Sequence, residues 1–170
     1  PSSQSIIKYQ LAKKFLFKKI TDKFGGKIRF FISGGAPLSP DIVNFLRNIG
    51  LTVLEGYGLT ETLAPCCVNP MNKQVAGSVG QPIGDVQIKF LEDCEILIKS
   101  EALFCGYYKN AEATSEVLTD DGWFKTGDIG EFDSQGFLKI TDRKKDIIIT
   151  SGGKNVAPQK IENMLKLSPY

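Results

Sequence analysis

Residues 28–54 read IRFFISGGAPLSPDIVNFLRNIGLTVL, and this stretch decides the fold. It opens with an apolar run of strand length at 28–32 and closes with another at 51–54. Between them, Ser39 can cap a helix whose first residue is Pro40, and Ile42, Phe45, Leu46 and Ile49 follow at helical spacing. A strand, a helix and a strand within so few residues predict a βαβ unit with two parallel strands.

Each predicted strand leads into a glycine-rich loop. The first loop, 33–38, contains Gly34, Gly35 and Ala36, and the second loop, 56–62, reads GYGLTET. Because the two strands are predicted to be parallel, both loops leave the same carboxyl edge of the sheet, where open α/β sheets bind their ligands. We therefore expect the two loops to line one crevice.

The second loop carries side chains that suit a nucleoside triphosphate and its magnesium ion. Tyr57 can cover a flat ring, Thr60 can donate to a phosphate oxygen, and Glu61 can hold a hard cation. A glycine such as Gly58 lets the backbone approach a ligand closely. An ordinary loop between a strand and a helix is the alternative, because short motifs recur by chance.

From about residue 86 the pattern becomes that of antiparallel strands. Apolar and polar residues alternate over 86–90 and 96–99, with a turn predicted at 92–94. A second turn is predicted at 133–136, and 110–118 is a candidate helix. Residues 123–128, WFKTGD, predict an exposed turn whose carboxylate could accept two sugar hydroxyls.

The predicted fold class is α/β with three parts. A βαβ part of a parallel sheet (1–84) precedes a small antiparallel subdomain (85–142), which is either barrel-like or a folded sheet. The hinge and the start of a C-terminal α+β domain follow (143–170). The all-charged run 142–146 is predicted to be a solvated turn or a hinge between packed units.

Two terminal segments have helical patterns. Residues 5–20 combine an apolar stripe with five lysines, which is typical of a solvated helix face or of a helix that lies on an anionic membrane. A second helix is predicted from Pro158 to Leu167. No run is long and apolar enough to span a bilayer, and no signal peptide is recognisable, so we expect a soluble, cytoplasmic protein with possible peripheral membrane contact.

Composition excludes several chemistries. The 170 residues include no histidine, so Ser-His-Asp and Cys-His catalysis and His-ligated metals are excluded within this chain. The four cysteines form no C-x-x-C pair, which argues against zinc and favours reduced thiols. A net charge of +2 gives no reason to expect a nucleic-acid partner. The remaining chemistry is that of positioning, charge and metal.

Taken together and in this order, the motifs resemble those of the adenylate-forming superfamily, and most closely those of long-chain fatty acyl-CoA synthetases. The similarity runs from about residue 27 to the end of the sequence. The matching segments are SGGAPL (33–38), YGLTET (57–62), GSVGQP (77–82), GYY (106–108), DGWFKTGD (121–128), and DR (142–143) followed by SGGKN (151–155).

The resemblance implies a role for each candidate residue around ATP. Gly34, Gly35 and Ala36 would offer backbone to the adenine edge, and Tyr57, beside Gly58, would stack on its face. Thr60 would bind the reacting phosphate and Glu61 the magnesium ion. Asp128 and Arg143 would hold the ribose hydroxyls.

The resemblance also implies a moving part. Lys145 would be the pivot about which a small carboxyl-terminal domain turns. The glycines Gly152 and Gly153 would then approach the pantetheine arm of coenzyme A, since a narrow thiol tunnel needs close backbone contact.

The reaction implied by the resemblance has two steps. A fatty acid carboxylate attacks the α-phosphorus of ATP and releases pyrophosphate, and the thiol of coenzyme A or of an acyl carrier protein then displaces AMP. The phosphate loop expected upstream and the lysine expected downstream are missing from this sequence, so we expect a fragment that is inactive by itself. The alternatives are an acyl carrier protein ligase of the same family and a non-catalytic nucleotide-binding module derived from it.

Overall fold

A computed structural model describes residues 17–63, 65–151, 155–156, 158, 161–162 and 165. Residues 5–16 of the helix predicted at 5–20 lie outside the described residues. Most of the helix predicted from Pro158 lies outside them as well. The last part of the first helix is described as α1 (Lys18–Lys23), which ends before Gly25 and Gly26 at positive φ. Among the described residues, none of the helices has the length and apolar character needed to cross a membrane.

The first sheet contains the predicted βαβ unit. Its strands are β1 (Phe31–Ser33), β2 (Val53–Tyr57), β3 (Cys67–Val68) and β4 (Gln81–Pro82), in that spatial order. The pairing of β1 with β2 is parallel, as predicted, and places Phe31 opposite Val53. The pairings of β2 with β3 and of β3 with β4 are antiparallel, so the sheet is mixed rather than purely parallel. The strand β2 begins later than predicted and contains Gly56 and Tyr57, which were expected in the loop.

The connecting helix α2 (Pro40–Asn48) begins as the sequence predicts. The Ser39 hydroxyl accepts a hydrogen bond from the Asp41 amide at 3.3 Å, and Pro40 is the first helical residue. Burial differs from the predicted stripe, since Val43 is buried but Phe45 is 60% exposed. The helix packs on β2 through its Val43 side, so the faces of Ile42 and Phe45 turn outward.

The second sheet is antiparallel and open. It contains β5 (Gln87–Phe90), β6 (Glu95–Lys99), β7 (Phe124–Phe132) and β8 (Leu138–Arg143), hydrogen-bonded in that order. Of the two predicted forms, the folded sheet is therefore the observed one among the described residues, and no barrel closes. The helix α3 (Ala111–Val117) packs on β7 and is capped by the side chain of Asn110, which accepts from the Ala113 amide at 3.1 Å. A short antiparallel pair, β9 (Ile148–Ile149) and β10 (Asn155–Val156), follows β8.

The two sheets are joined at a backbone seam between Val79–Gly80 and Leu138. The Val79 amide donates to the Leu138 carbonyl at 2.8 Å, and the Leu138 amide donates to the Gly80 carbonyl at 2.7 Å. Gly80 has φ +90°, and a Cβ there would lie 1.9 Å from the Val68 carbonyl carbon. Only glycine can therefore occupy this position, because the neighbouring strand β3 of the same sheet passes directly against it.

Gly80→Ala should destabilise the protein far more than Gly84→Ala. Both glycines have positive φ, but a Cβ at Gly84 would meet nothing within 4 Å. The Gly84 variant should therefore lose only about 1 kcal/mol, from backbone strain. The Gly80 variant should lose about 3 kcal/mol or more, because residue 80 must move away from Val68 and thereby displaces the backbone that forms the seam. Urea unfolding of both variants measures the difference, and equal losses would contradict the requirement for glycine at this backbone contact.

Candidate active site

A cleft of about 960 Å³ lies where the carboxyl ends of β1 and β2 face β7 and β8. The two glycine-rich loops line it together, as the parallel pairing predicts. The second sheet contributes the opposite wall. The predicted site residues that line the cleft are Gly35, Ala36, Tyr57, Gly58, Thr60, Glu61, Asp128, Arg143 and Lys145.

The first loop follows β1 and passes close to β2. Gly35 has φ +78°, which favours glycine, and Gly35 and Ala36 reach the cleft. Gly34 lies against the neighbouring strand, where a Cβ would be 3.2 Å from the Gly56 carbonyl oxygen. Small residues therefore keep the loop backbone close to the sheet and leave space above it.

A chain of polar contacts across the cleft joins the two sheets through Asp128. The Tyr57 hydroxyl donates to Oδ2 of Asp128 at 2.6 Å, and Nε of Arg143 lies 3.2 Å from Oδ1. Burial and the adjacent Asp128 carboxylate both raise the pKa of Tyr57, so its hydroxyl remains a donor. The Asp128 carboxylate is itself buried, and its two oxygens contact side chains from two different strands, Tyr57 of β2 and Arg143 of β8.

The position of Asp128 results from a bulge, and the predicted exposed turn at 123–128 is wrong. These residues run into strand β7, where Glu95 of β6 pairs with Ile129 and Leu97 pairs with Lys125. One residue of β6 therefore faces three of β7, namely 126–128. The Thr126 hydroxyl stabilises this bulge by donating to the Ile96 carbonyl at 2.8 Å. Bulges of this kind redirect a side chain, and here Asp128 reaches the cleft.

Glu61 lines the cleft and belongs to a 3-10 turn formed by Thr60–Thr62. Its Oε1 accepts a hydrogen bond from the Tyr107 hydroxyl at 2.8 Å, and its backbone carbonyl accepts one from the Phe104 amide at 2.8 Å. Both contacts come from the segment after β6, which therefore fixes the carboxylate.

The donor set around Glu61 fits magnesium held together with a nucleotide. Among the described residues, no group of three Asp, Glu, Cys or His side chains could form an all-protein metal cage. Magnesium usually takes only one or two carboxylates and completes its shell with water and substrate phosphates. A single cleft-facing carboxylate meets that requirement.

The charged run at 142–146 is only partly the solvated turn that the sequence predicts. Asp142 and Arg143 belong to β8, and Asp142 is 4% exposed. A 3-10 turn then spans Lys144–Asp146, with Lys145 exposed and facing the cleft. The remaining candidates, Gly152 and Gly153, lie outside the described residues.

Sequence patterns gave no role at the site to four charged or polar residues. Glu55 and Lys144 line the cleft, whereas Tyr107 and Glu95 contact residues that line it. Glu95 stands beside the buried run 96–98, and a carboxylate next to such a run is a signal for an internal partner. The partner, Lys144, lies 49 residues away and has no local signal.

Glu55 is a buried carboxyl group on the wall of the cleft. Its Oε2 accepts a hydrogen bond from the Gly77 amide at 3.4 Å, and Arg47 is the nearby cation. Burial outweighs both contacts and raises the pKa of Glu55 to about 7. Its charge therefore changes near neutral pH.

Comparison with known proteins identifies the family. Residues 4–108 match the family described as AMP-binding enzyme, so the chain belongs to that family. Its sequence is 43% identical over 162 residues to long-chain-fatty-acid–CoA ligase FadD15 of Mycobacterium tuberculosis, covering 95% of this chain and 27% of the relative. It is 45% identical over 169 residues to long chain acyl-CoA synthetase 1 of Arabidopsis thaliana, covering 91% and 26%. The chain thus spans about a quarter of the length of these relatives.

Solved structures share the fold. ATP-bound MatB from Rhodopseudomonas palustris superposes with a TM-score of 0.76 at 36% identity, covering 85% of this chain and 31% of that one. O-succinylbenzoate coenzyme A synthetase from Bacillus subtilis, in complex with ATP and magnesium ion, gives a TM-score of 0.72 at 34% identity, covering 83% and 31%. The resemblance to adenylate-forming enzymes is thereby confirmed.

Glu55→Gln should change how stability depends on pH. The folded carboxyl group holds its proton up to about pH 7, whereas the unfolded one releases it near 4.5. Rising pH between these values therefore favours the unfolded wild type. Relative to Glu55→Gln, the wild type should lose about 2 kcal/mol between about pH 5 and pH 8. Thermal unfolding at several pH values tests this, with exposed Glu116→Gln as control, and parallel profiles for wild type and Glu55→Gln would contradict it.

Proposed function

We propose that this chain is the central part of an ATP-dependent acid–thiol ligase of the long-chain fatty acyl-CoA synthetase type. One observation carries the proposal: a single cleft is lined by Ala36, Tyr57, Glu61, Asp128 and Arg143. These residues supply what a nucleotide needs, namely a backbone edge and a ring for the base, a carboxylate for its metal ion, and a charged pair for the sugar.

In this proposal the nucleotide lies along the cleft. Gly35 and Ala36, backed by Gly34, offer backbone to adenine, and Tyr57 covers its face beside Gly58. Asp128 accepts the ribose hydroxyls with the lone pairs that Tyr57 and Arg143 leave free, since a carboxylate has about four acceptor sites. Held by two donors, that carboxylate needs no reorganisation when the sugar binds.

Thr60 and Glu61 belong to the phosphate end of the proposed site. The Thr60 hydroxyl would donate to the reacting phosphate, and Glu61, oriented by its hydrogen bond from the Tyr107 hydroxyl, would hold magnesium. The bound metal ion would neutralise the charge that builds up on the phosphates. Because catalysis of this step is mainly electrostatic, the protein's task is to keep these groups in place before the substrates arrive.

The proposed reaction forms and breaks two bonds in sequence. An oxygen of the fatty acid carboxylate bonds to the α-phosphorus of ATP, and pyrophosphate leaves with the electrons of the broken P–O bond. The sulfur of a thiol then bonds to the acyl carbon, AMP leaves, and the thiol proton is released. Coenzyme A is the proposed thiol, and a substrate panel that also offers acyl carrier protein distinguishes the two acceptors.

We also propose that the chain consists of three structural parts, residues 1–84, 85–142 and 143–170. Lys145 is the pivot between the second and third parts, and Gly152 and Gly153 belong to the moving side that meets the thiol substrate. A cytoplasmic location with peripheral contact of the basic segment 5–20 to membrane lipid would suit a fatty acid substrate.

Glu61→Gln in the intact enzyme should depress acid-dependent pyrophosphate exchange on the order of 100-fold, because the magnesium ion loses a charged ligand. AMP has no polyphosphate for a metal ion to bind, so binding of AMP should stay close to wild type. Exposed Glu112→Gln is the matched control for a lost carboxylate. Unchanged exchange in Glu61→Gln would remove the metal role from this residue.

Lys145→Pro should separate the two half-reactions. Proline fixes φ and restricts the preceding residue, so it stiffens the pivot. Adenylate formation should stay within about threefold of wild type, whereas thioester formation should slow about tenfold or more. Lys145→Ala controls for the lost side chain. Equal loss of both half-reactions, or of neither, would argue against a pivot.

A further inference from the structure

We propose that Glu95 is a positioning residue that anchors both the bulge carrying Asp128 and the chain immediately before Lys145. This inference rests on the proposed function, in which Lys145 is the pivot. Glu95 does not line the cleft, and it would act through the two segments that its carboxylate holds.

The two oxygens of Glu95 bind two different segments. Oε1 accepts a hydrogen bond from the Gly127 amide at 3.0 Å, and Oε2 accepts one from Nζ of Lys144 at 2.7 Å. The Glu95 side chain is 6% exposed. A carboxylate this deeply buried requires partners for both oxygens, because the cost of removing it from water is otherwise not recovered.

The first of these contacts stabilises the bulge. Gly127 is the middle residue of the three that face Ile96, and it has φ +72°. Its amide points back to Glu95, while the next residue, Asp128, points to the cleft. The contact from Glu95 to Gly127 therefore helps to set the direction of the proposed ribose ligand.

The second contact fixes the chain beside the pivot. Nζ of Lys144 also lies 2.7 Å from Oδ2 of Asp93, and hydrogen bonds to Asp93 and then to Glu95 raise the pKa of Lys144. The Asp93 side chain is half exposed, so water and salt screen that pair. The pair with Glu95 is the stronger anchor, because its loss leaves a buried carboxylate without its cation.

Together these contacts define where the fixed part of the chain ends. Arg143 pairs with Asp128, and Lys144 pairs with Glu95, so two consecutive residues are tied to the second sheet. Lys145 follows directly and is exposed. A rotation about Lys145 would then move only the chain that follows it. The residues proposed to bind the nucleotide would stay in place, while the residues proposed to meet the thiol substrate would turn.

Two substitutions of Glu95 separate its two tasks in the intact protein. Glu95→Gln keeps an oxygen for the Gly127 amide but loses the charge that holds Lys144. It should leave the KM for ATP in pyrophosphate exchange within about twofold and slow thioester formation about fivefold. Glu95→Ala loses both contacts and should also raise that KM about tenfold. Equal KM values for the two variants would overturn the role in aiming Asp128.

The rate of tryptic cleavage after Arg143 and Lys145 measures how firmly Glu95 holds this segment, and the measurement does not depend on catalytic activity. Glu95→Gln and Lys144→Met should each accelerate cleavage about fivefold. The double variant should be no faster than Lys144→Met, because the contact between Glu95 and Lys144 is already lost in that single variant. Exposed Glu131→Gln on β7 is the matched control, and near-UV circular dichroism verifies folding. Rates equal to the control, or single effects that multiply in the double variant, would overturn the anchor.

The same data distinguish failure of the anchor from failure of the proposed function. If the wild type performs neither half-reaction but the cleavage cycle behaves as expected, the ligase assignment fails and the anchor stands. If the wild type performs both half-reactions and Glu95→Gln matches the control in every measurement, the anchor alone fails.

Discussion

The site depends on one constraint, the close backbone approach at Gly80. Two hydrogen bonds there tie Val79 and Gly80 to Leu138, and the chain of Val68 passes where a side chain of residue 80 would be. The seam brings a sheet with parallel strands against an antiparallel one at a fixed distance. Without it, Tyr57 at the end of β2 and Asp128 in β7 would have no reason to meet, since 71 residues separate them.

Two buried carboxylates, Asp128 and Glu95, hold the segments around the cleft in place once the seam has brought the two sheets together. Asp128 receives Tyr57 from one sheet and Arg143 from the other, and Glu95 holds the backbone and the cation just behind them. Each carboxylate is removed from water and has a donor on each of its two oxygens. These donors fix the orientation of the carboxylate as well as compensating its charge. The cleft therefore presents oriented acceptors and donors in advance of any ligand, which is the condition for strong electrostatic effects in a site.

Local patterns predicted the local structure well and failed where the two sheets meet. The cap at Ser39, the parallel strands around α2 and the antiparallel strands after residue 86 all depend on neighbouring residues, and the structure confirms them. The predicted turn at 123–128 failed because glycine followed by aspartate is usually a turn, whereas here β6 pairs on either side of these residues and makes them a bulge. The prediction that Phe45 lies on the buried face of its helix was also wrong, because helical spacing does not say which element covers a helix.

The sequence alone determined the kinds of secondary structure, the order of the motifs and the chemistry available to them. Those properties depend on backbone preferences and side-chain types, which act over a few residues. Only the tertiary structure decided that Tyr57, Asp128 and Arg143 form one contact chain, and that Glu95 pairs with Lys144. Such pairs are made between distant parts of the chain, and their geometry is set by packing and burial that no short stretch of sequence contains.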